Sequence, residues 1–321
     1  MQASPSVSII VPAYNMESYI AEALRSIQAQ TFADYECVIV DDGSEDATPA
    51  RVESFLDDKR FRLMKQPHSG VSAARNTALR VCSGDFIAFM DADDMWLPEM
   101  LAARLALFEK SPDANLAITN FAWMRNGVPG PPRYDLFRRQ CAGDPLAQLC
   151  SRMPFWICTM MFRRYVLEDI HGFDESLSCA EDYDLTLRAA QQVGLTVRGD
   201  NRVLAYRRFR PGSLARNRDN LFEMNIRVLE DAIDREKNPQ YSRLLFRHCE
   251  KLTRNHAFES LAREARDLLP NRKRDAAAQL TRAWRVKPKR LRYLFWALRL
   301  TALGSIEDSK FVKRIQDRLV F

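Results

Sequence analysis

Three carboxylates, Asp91, Asp93 and Asp94, crowd into four residues directly behind the apolar stretch Phe86-Ile87-Ala88-Phe89-Met90. An apolar run of that length, bounded by Gly84-Asp85, reads as a fully buried strand. At the carboxyl end of a strand in an open α/β sheet, acids at alternate positions can turn two oxygens toward one hard cation. The same residues also fit an acidic turn ahead of the helix that Pro98 and Glu99 open. A second pair, Asp41-Asp42 followed by Gly43-Ser44, ends the run Tyr35-Glu36-Cys37-Val38-Ile39-Val40. It reads either as a ligand contact or as a turn capping a helix from Asp46. A third pair, Glu181 and Asp182, falls in the first turn of a helix carried by Leu185, Leu187, Ala189 and Val193. There the helix dipole favours the ionised carboxylate that a general base needs, although acids at a helix start also act simply as caps.

The surrounding pattern supplies elements able to bring these acids together. Val7-Ser8-Ile9-Ile10-Val11 is a β-branched run stopped by Pro12, and residues 16–30 carry helical spacing through Ile20, Leu24 and Ile27. Strand, helix and strand at this length make a βαβ unit and hence a parallel sheet. Successive strand ends at Pro12-Ala13-Tyr14, Asp41-Asp42 and Asp91-Ala92-Asp93 then line one rim, where a single ligand can touch all three.

A chain of 321 residues with 46% apolar residues predicts one sizeable core plus an appendage. Residues 1–213 form the expected catalytic domain and residues 214–321 an all-helical, basic region. Acids outnumber bases over residues 1–200, whereas the remainder is strongly basic, giving +6 overall. Seven cysteines without Cys-x-x-Cys pairing point to reduced core thiols. No basic-then-apolar leader and no uncharged run of membrane-spanning length occur, so a cytoplasmic location is expected.

Six segments in order carry a resemblance: Val-Pro-Ala-Tyr-Asn at 11–15, Val-Asp-Asp-Gly-Ser at 40–44, Ser-Gly-Val-Ser-Ala-Ala-Arg-Asn at 69–76, Asp-Ala-Asp-Asp at 91–94, Gly-Phe-Asp-Glu at 172–175 and Glu-Asp-Tyr-Asp-Leu at 181–185. Together they resemble the family 2 inverting glycosyltransferases of the GT-A fold, over about the first 215 residues. The resemblance implies an α/β domain with a mostly parallel central sheet flanked by helices. It implies a nucleoside diphosphate sugar as donor, UDP being the expected nucleotide, and Mn²⁺ or Mg²⁺ between the acids and the diphosphate. Pro12, Ala13, Tyr14 and Asp42 are the implied contacts to the base, and Asp91 to the ribose or to metal-bound water. Asp93 is the implied direct metal ligand, with Asp91 beside it. Arg75 is the implied cation near the donor, pairing with phosphate or orienting Asp91. Asp182 is the implied base, supported by Glu181. Arg207, Arg208 and Arg210 resemble a basic loop that closes over the nucleotide phosphates, with Phe209 standing where a His is frequent. A catalytically silent member that binds nucleotide sugar or scaffolds a glycan-assembly complex is the alternative function.

Other classes fit less well. A retaining glycosidase needs two carboxyls flanking its substrate and no metal, not three acids on one turn. No Gly-x-Gly-x-x-Gly follows the first strand and no Gly-x-x-x-x-Gly-Lys loop occurs. A processive synthase would carry Gln-x-x-Arg-Trp and membrane helices, so one transfer per encounter is expected. The acceptor is expected to be a glycan or lipid-linked saccharide of cell-envelope or exopolysaccharide synthesis, selected by residues 126–154 and the helical tail, with Phe155 and Trp156 as stacking candidates or core. Residues 284–300 pair cations with an apolar face of Leu291, Leu294, Phe295 and Leu298, which reads either as a face folded onto the rest of the tail or, the favoured reading, as peripheral contact with an anionic membrane. Nucleic acid is not expected as a partner.

Overall fold

A computed structural model describes residues 5–125, 127–132, 144–151, 155–210, 217–268 and 273–286. Chain contacts divide it into two compact units, Met1–Leu245 and Phe246–Phe321. The first unit is built on a mixed sheet that contains nine strands among the described residues.

The strands are β1 (Val7–Ala13), β2 (Tyr35–Asp41), β3 (Phe61–Lys65), β4 (Phe86–Phe89), β5 (Met95–Trp96), β6 (Leu116–Arg125), β7 (Val128–Pro132), β8 (Met160–Arg163) and β9 (Val197–Arg208). They lie in the order β3-β2-β1-β4-β8-β6-β9-β5, with β7 on β6. The half made by β1 to β4 is parallel, as its βαβ spacing predicts. Beyond β4 the sheet becomes mixed: β8 runs antiparallel to both β4 and β6, while β9 runs parallel to β6. Val7, Ile9, Ile10, Val11, Cys37, Val38, Ile39 and Val40 are fully covered, which is why these runs lack the polar alternation of a half-exposed strand.

Register sets the rim. Ala13 pairs with Asp41 and Ile10 with Phe89, so β1, β2 and β4 release their chain at one edge, with the acids just past the last sheet residues. Helices of this unit follow the strands: α1 (Ile20–Gln28), α2 (Thr48–Glu53), α3 (Val71–Leu79), α4 (Met100–Lys110), α5 (Pro145–Leu149), α6 (Arg164–Asp169), α7 (Glu181–Gln192) and α8 (Arg218–Arg235). Just ahead of α2, whose N-cap position is Ala47, Asp46 accepts the Thr48 N–H at 2.9 Å, so the side chain at this helix start is that of Asp46 and not Asp42.

The loop before α7 is pinned to α3. Asn76 accepts the Phe173 N–H on Oδ1 and donates Nδ2 to the Phe173 carbonyl, each at 2.9 Å. Gly172 has φ +71°, and a Cβ there would stand 2.5 Å from Asn76 Oδ1. The Asn76 amide, already tied at both ends, has no room to retreat. Gly172→Ala is therefore expected to cost about 2–3 kcal/mol through backbone strain and overpacking, read as a lower urea midpoint with unchanged slope.

Among the described residues of the second unit, the later part of α9 (Pro239–Leu268) and α10 (Lys273–Val286) present small apolar faces. Phe258, Ala262 and Ala265 are buried on one, and Ala276, Ala277, Leu280 and Ala283 on the other, at the spacing of an amphipathic helix. No helix among the described residues is long and apolar enough to cross a membrane. The membrane-surface helix expected at 284–300 lies outside the described residues from 287 onward.

Candidate active site

Along the rim, the first turn is dominated by Asp42, which is buried. Its Oδ1 accepts the Ser69 N–H at 2.9 Å and Gln66 Nε2 at 2.7 Å, while Oδ2 accepts the Gly70 N–H at 2.9 Å. His68 Nδ1 stands 2.8 Å from Oδ2. Asp42 thus holds loop 66–70 and the N-terminus of α3, rather than presenting a free acceptor. Gly43, with φ +76°, makes this closure possible, because a Cβ there would lie 2.8 Å from the His68 amide nitrogen. The same loop stacks His68 on Tyr14, with ring centroids 4.0 Å apart and 19° between planes. His68 has no second His or Cys at ligand spacing, and the stack on Tyr14 arises only from the fold. Pro12 and Ala13 end β1, and the Ala13 carbonyl accepts the Asp42 N–H at 2.8 Å. Beside them, Asp41 is buried with one oxygen, Oδ1, lacking any partner. Buried polar atoms are normally satisfied, so this oxygen is an acceptor in want of a donor.

The second turn is crossed by arginines. Arg75, 2% exposed, donates Nη2 to Asp91 Oδ1 at 2.9 Å and Nη1 to Glu181 Oε1 at 2.6 Å. Its guanidinium also lies over the Phe173 ring, 5.2 Å from the centroid. Two carboxylates outweigh the burial that would otherwise discharge it, so the group stays cationic. Arg75 thereby ties the acidic turn to the first residue of α7, in keeping with an orienting role. Asp93 is paired with Arg210. Arg208 donates its backbone N–H to Asp94 Oδ1 at 2.7 Å, its Nε to the Asp93 carbonyl at 2.9 Å, and its Nη2 to Glu22 at 2.5 Å. Alternation along β9 sends Arg207 to the opposite face, where its guanidinium lies 4.8 Å from the Trp123 ring centroid and 5.2 Å from that of Trp156.

Asp91, Asp94 and Cys158 bring potential ligand atoms within 4.8 Å of one another. Burial and the two nearby carboxylates push the Cys158 thiol well up, and Sγ stands 3.1 Å from the Asp91 nitrogen and 3.7 Å from Asp94 Oδ2. A protonated, buried thiol supports the turn from beneath and does not suit Mg²⁺ or Mn²⁺. Asp91 and Asp93 are better matched to a hard cation. Burial, then the neighbouring Asp91 charge, raises Asp93 above the ordinary carboxylate range, the mark of a pair short of positive charge, which Arg210 relieves only in part. In chemistry these carboxylates suit a divalent cation, although Asp93, tied to Arg210, is not among the residues whose ligand atoms cluster.

Asp182 stands apart. No hydrogen bond or ion pair engages its carboxylate among the described residues, whereas Glu181 beside it is held by Arg75. Burial first, then the Glu181 charge, pushes Asp182 up to about 7, against the pull of Arg75 and Arg207. The helix dipole alone suggests an ionised acid; desolvation outweighs it. Ala180, which caps this helix, sits in the left-handed region at φ 62°, a strained conformation for a residue with a Cβ and one concentrated at functional sites.

The mixed α/β sheet with its acids along one rim has the form expected of the GT-A fold. The family model for Glycosyl transferase family 2 matches residues 8–171, and the chain belongs to that family. A UDP-Glc:alpha-D-GlcNAc-diphosphoundecaprenol beta-1,3-glucosyltransferase of Escherichia coli is 40% identical over 105 residues, 33% of this chain and 42% of that protein. Chondroitin synthase of Escherichia coli is 34% identical over 193 residues, 58% of this chain and 27% of that protein. The chain thus spans less than half the length of either relative. In fold it is similar to Staphylococcus aureus TarS 1–349 in complex with UDP-GlcNAc, with TM-score 0.65 and 22% identity over 97% of this chain and 90% of that one. It is also similar to the mannosyltransferase PcManGT of Pyrobaculum calidifontis in complex with GDP-Man and Mn²⁺, with TM-score 0.63 and 21% identity over 99% and 86%.

Proposed function

We propose that the chain is an inverting, non-processive glycosyltransferase that moves a sugar from a nucleoside diphosphate donor to a hydroxyl of a glycan or lipid-linked saccharide. The observation that carries the reading is the Asp91–Arg75–Glu181 bridge, which fixes a cation-suited acidic turn beside an unengaged carboxylate, Asp182. Relatives and fold neighbours that carry nucleotide sugars support it. A catalytically silent role gains nothing from an acid poised near neutrality.

Each part of the chain then has a task. Tyr14, stacked on His68, forms the wall against which a base packs, and Asp41 Oδ1 is the acceptor for a base N–H, taking the part that Asp42 surrenders to the loop. Asp93 with Asp91 would hold Mn²⁺ or Mg²⁺, which supplies charge neutralisation of the departing diphosphate when bound. Arg75 keeps Asp91 oriented, and Arg208 and Arg210 border the phosphates. Asp182 takes the proton of the acceptor hydroxyl as it attacks the anomeric carbon from the face opposite the leaving group. Cell-envelope or exopolysaccharide synthesis, at or near an anionic membrane surface, is the proposed setting.

A donor screen tests this. Thermal protection by UDP-, GDP- and dTDP-sugars, each with and without Mn²⁺, should single out a UDP-sugar and require the cation; equal, metal-independent shifts for all three would contradict it. Asp41→Ala should leave the free protein as stable as before or more so, since an unsatisfied buried oxygen is removed. It should weaken UDP binding about tenfold or more. Unchanged UDP affinity would move the base contact elsewhere.

A further inference from the structure

Four arginines surround the site, and three are neutralised by acids: Arg75 by Asp91 and Glu181, Arg208 by Glu22, and Arg210 by Asp93. Arg207 has no carboxylate and no hydrogen bond among the described residues. Its place is nevertheless fixed. Trp123 and Arg207 are paired across β6 and β9, and the guanidinium lies against both Trp123 and Trp156. Trp156 is 5% exposed, packs on Phe121 with centroids 4.8 Å apart, and buries an indole N–H that finds no acceptor. Further along the same face, Phe209 stands 6.5 Å from Trp123 and carries Arg125 over its ring at 4.5 Å.

Two physical consequences follow from stacking a guanidinium on indoles. Its faces are used and partly desolvated, while its five N–H donors, which lie in the plane, remain for a planar or tetrahedral anion. An unpaired cation held in this way strengthens any ion pair it later forms, because less water must be displaced and fewer rotamers frozen. Arg207 directly precedes Arg208, whose N–H is donated to Asp94 Oδ1 at 2.7 Å, so it borders the acidic turn, and its positive charge favours the ionised form of both Asp94 and the proposed base Asp182.

We propose that Arg207, held against Trp123 and Trp156, is a specificity-determining residue of the acceptor site and selects an acceptor bearing an anionic group, phosphate or carboxylate, near the hydroxyl that Asp182 deprotonates. The assignment rests on the transferase reading above and reassigns Arg207 from the donor's phosphates to the acceptor. The indoles serve two ends: they position the cation and offer apolar area to a sugar ring.

Calorimetric titration of the full chain, saturated with UDP and Mn²⁺, with octyl glucoside, octyl glucuronide and octyl diphosphoglucose tests the idea and separates the two anion sources. At least one anionic probe should bind tenfold or more tightly than octyl glucoside, and Arg207→Gln should bring that probe to within about twofold of the neutral one. Arg207→Lys, which keeps the charge but not the fork, should retain part of the preference and guards against a misfolded Gln variant. Three probes that behave alike in the wild-type chain would overturn the proposal. So would a preference that survives Arg207→Gln, or a Gln variant that loses UDP as severely as the anionic probe, which would return Arg207 to the donor. Absence of sugar transfer with the anion preference intact would sink the transferase reading and leave the anion site standing.

Discussion

Asp182→Asn is expected to lower sugar transfer by about 10²-fold or more while leaving UDP-sugar binding in place. The amide matches the carboxylate in shape but cannot take the acceptor's proton, and general-base contributions are of this size. The acid pushed up to about 7 by burial and by Glu181 gives a second signature. Only the ionised form is a base, so kcat/KM should climb with pH through about 7 and level off above it, and the Asn variant should lose that rise. The sign for stability is the reverse. A folded-state value above the ordinary one means that the fold prefers the protonated acid, so above neutral pH the half-buried charge costs stability. Asp182→Asn should therefore melt higher than the wild type at pH 8. A variant at once more stable and inactive separates a lost base from a lost fold; normal transfer, or lost donor binding, would place the base elsewhere.

Asp93→Ala should abolish Mn²⁺-dependent donor turnover. Removing one of two carboxylates suited to the cation would take away charge needed to hold it at the acidic turn. Arg210 is also released from its pair with Asp93, and the freed guanidinium adds positive charge, so residual metal-independent nucleotide binding should persist. The measurement is initial rate against Mn²⁺ concentration. A variant that turns over donor at the wild-type rate with the same metal dependence would show that Asp93 is no ligand.

The parallel half of the sheet was legible because β1, β2 and β4 are buried runs of period-free apolar residues and helix α1 has clear 3.6-residue spacing, although β1 runs through Pro12 to Ala13 instead of stopping at the proline. The mixed half was not: β8 and β9 join strands distant in sequence, and nothing local in Met160–Arg163 states its direction. That the acids line one rim was legible from their positions, because a parallel sheet releases successive strands at one edge. Their division of labour was not. Asp41 and Asp42 are adjacent and identical in type, and only the fold shows that Asp42 is filled by Gln66, Ser69 and Gly70 while Asp41 keeps an unmet oxygen. Likewise Arg207 and Arg208 read as one basic patch, yet alternation along β9 sends one to the indoles and the other to Glu22. The helix dipole at Glu181 and Asp182 was read correctly as to position, but burial, which the sequence does not display, sets the acid's proton affinity.

The central claim is that the acidic rim and Asp182 together carry out inverting transfer. It is tested most directly by ¹H NMR of the glycoside formed from an α-linked UDP-hexose, using the best anionic octyl acceptor and Mn²⁺. Attack from the face opposite the diphosphate predicts a β linkage, formed only with the cation and lost in Asp182→Asn. An α-linked product, or a β product that Asp182→Asn forms at the wild-type rate, would contradict it.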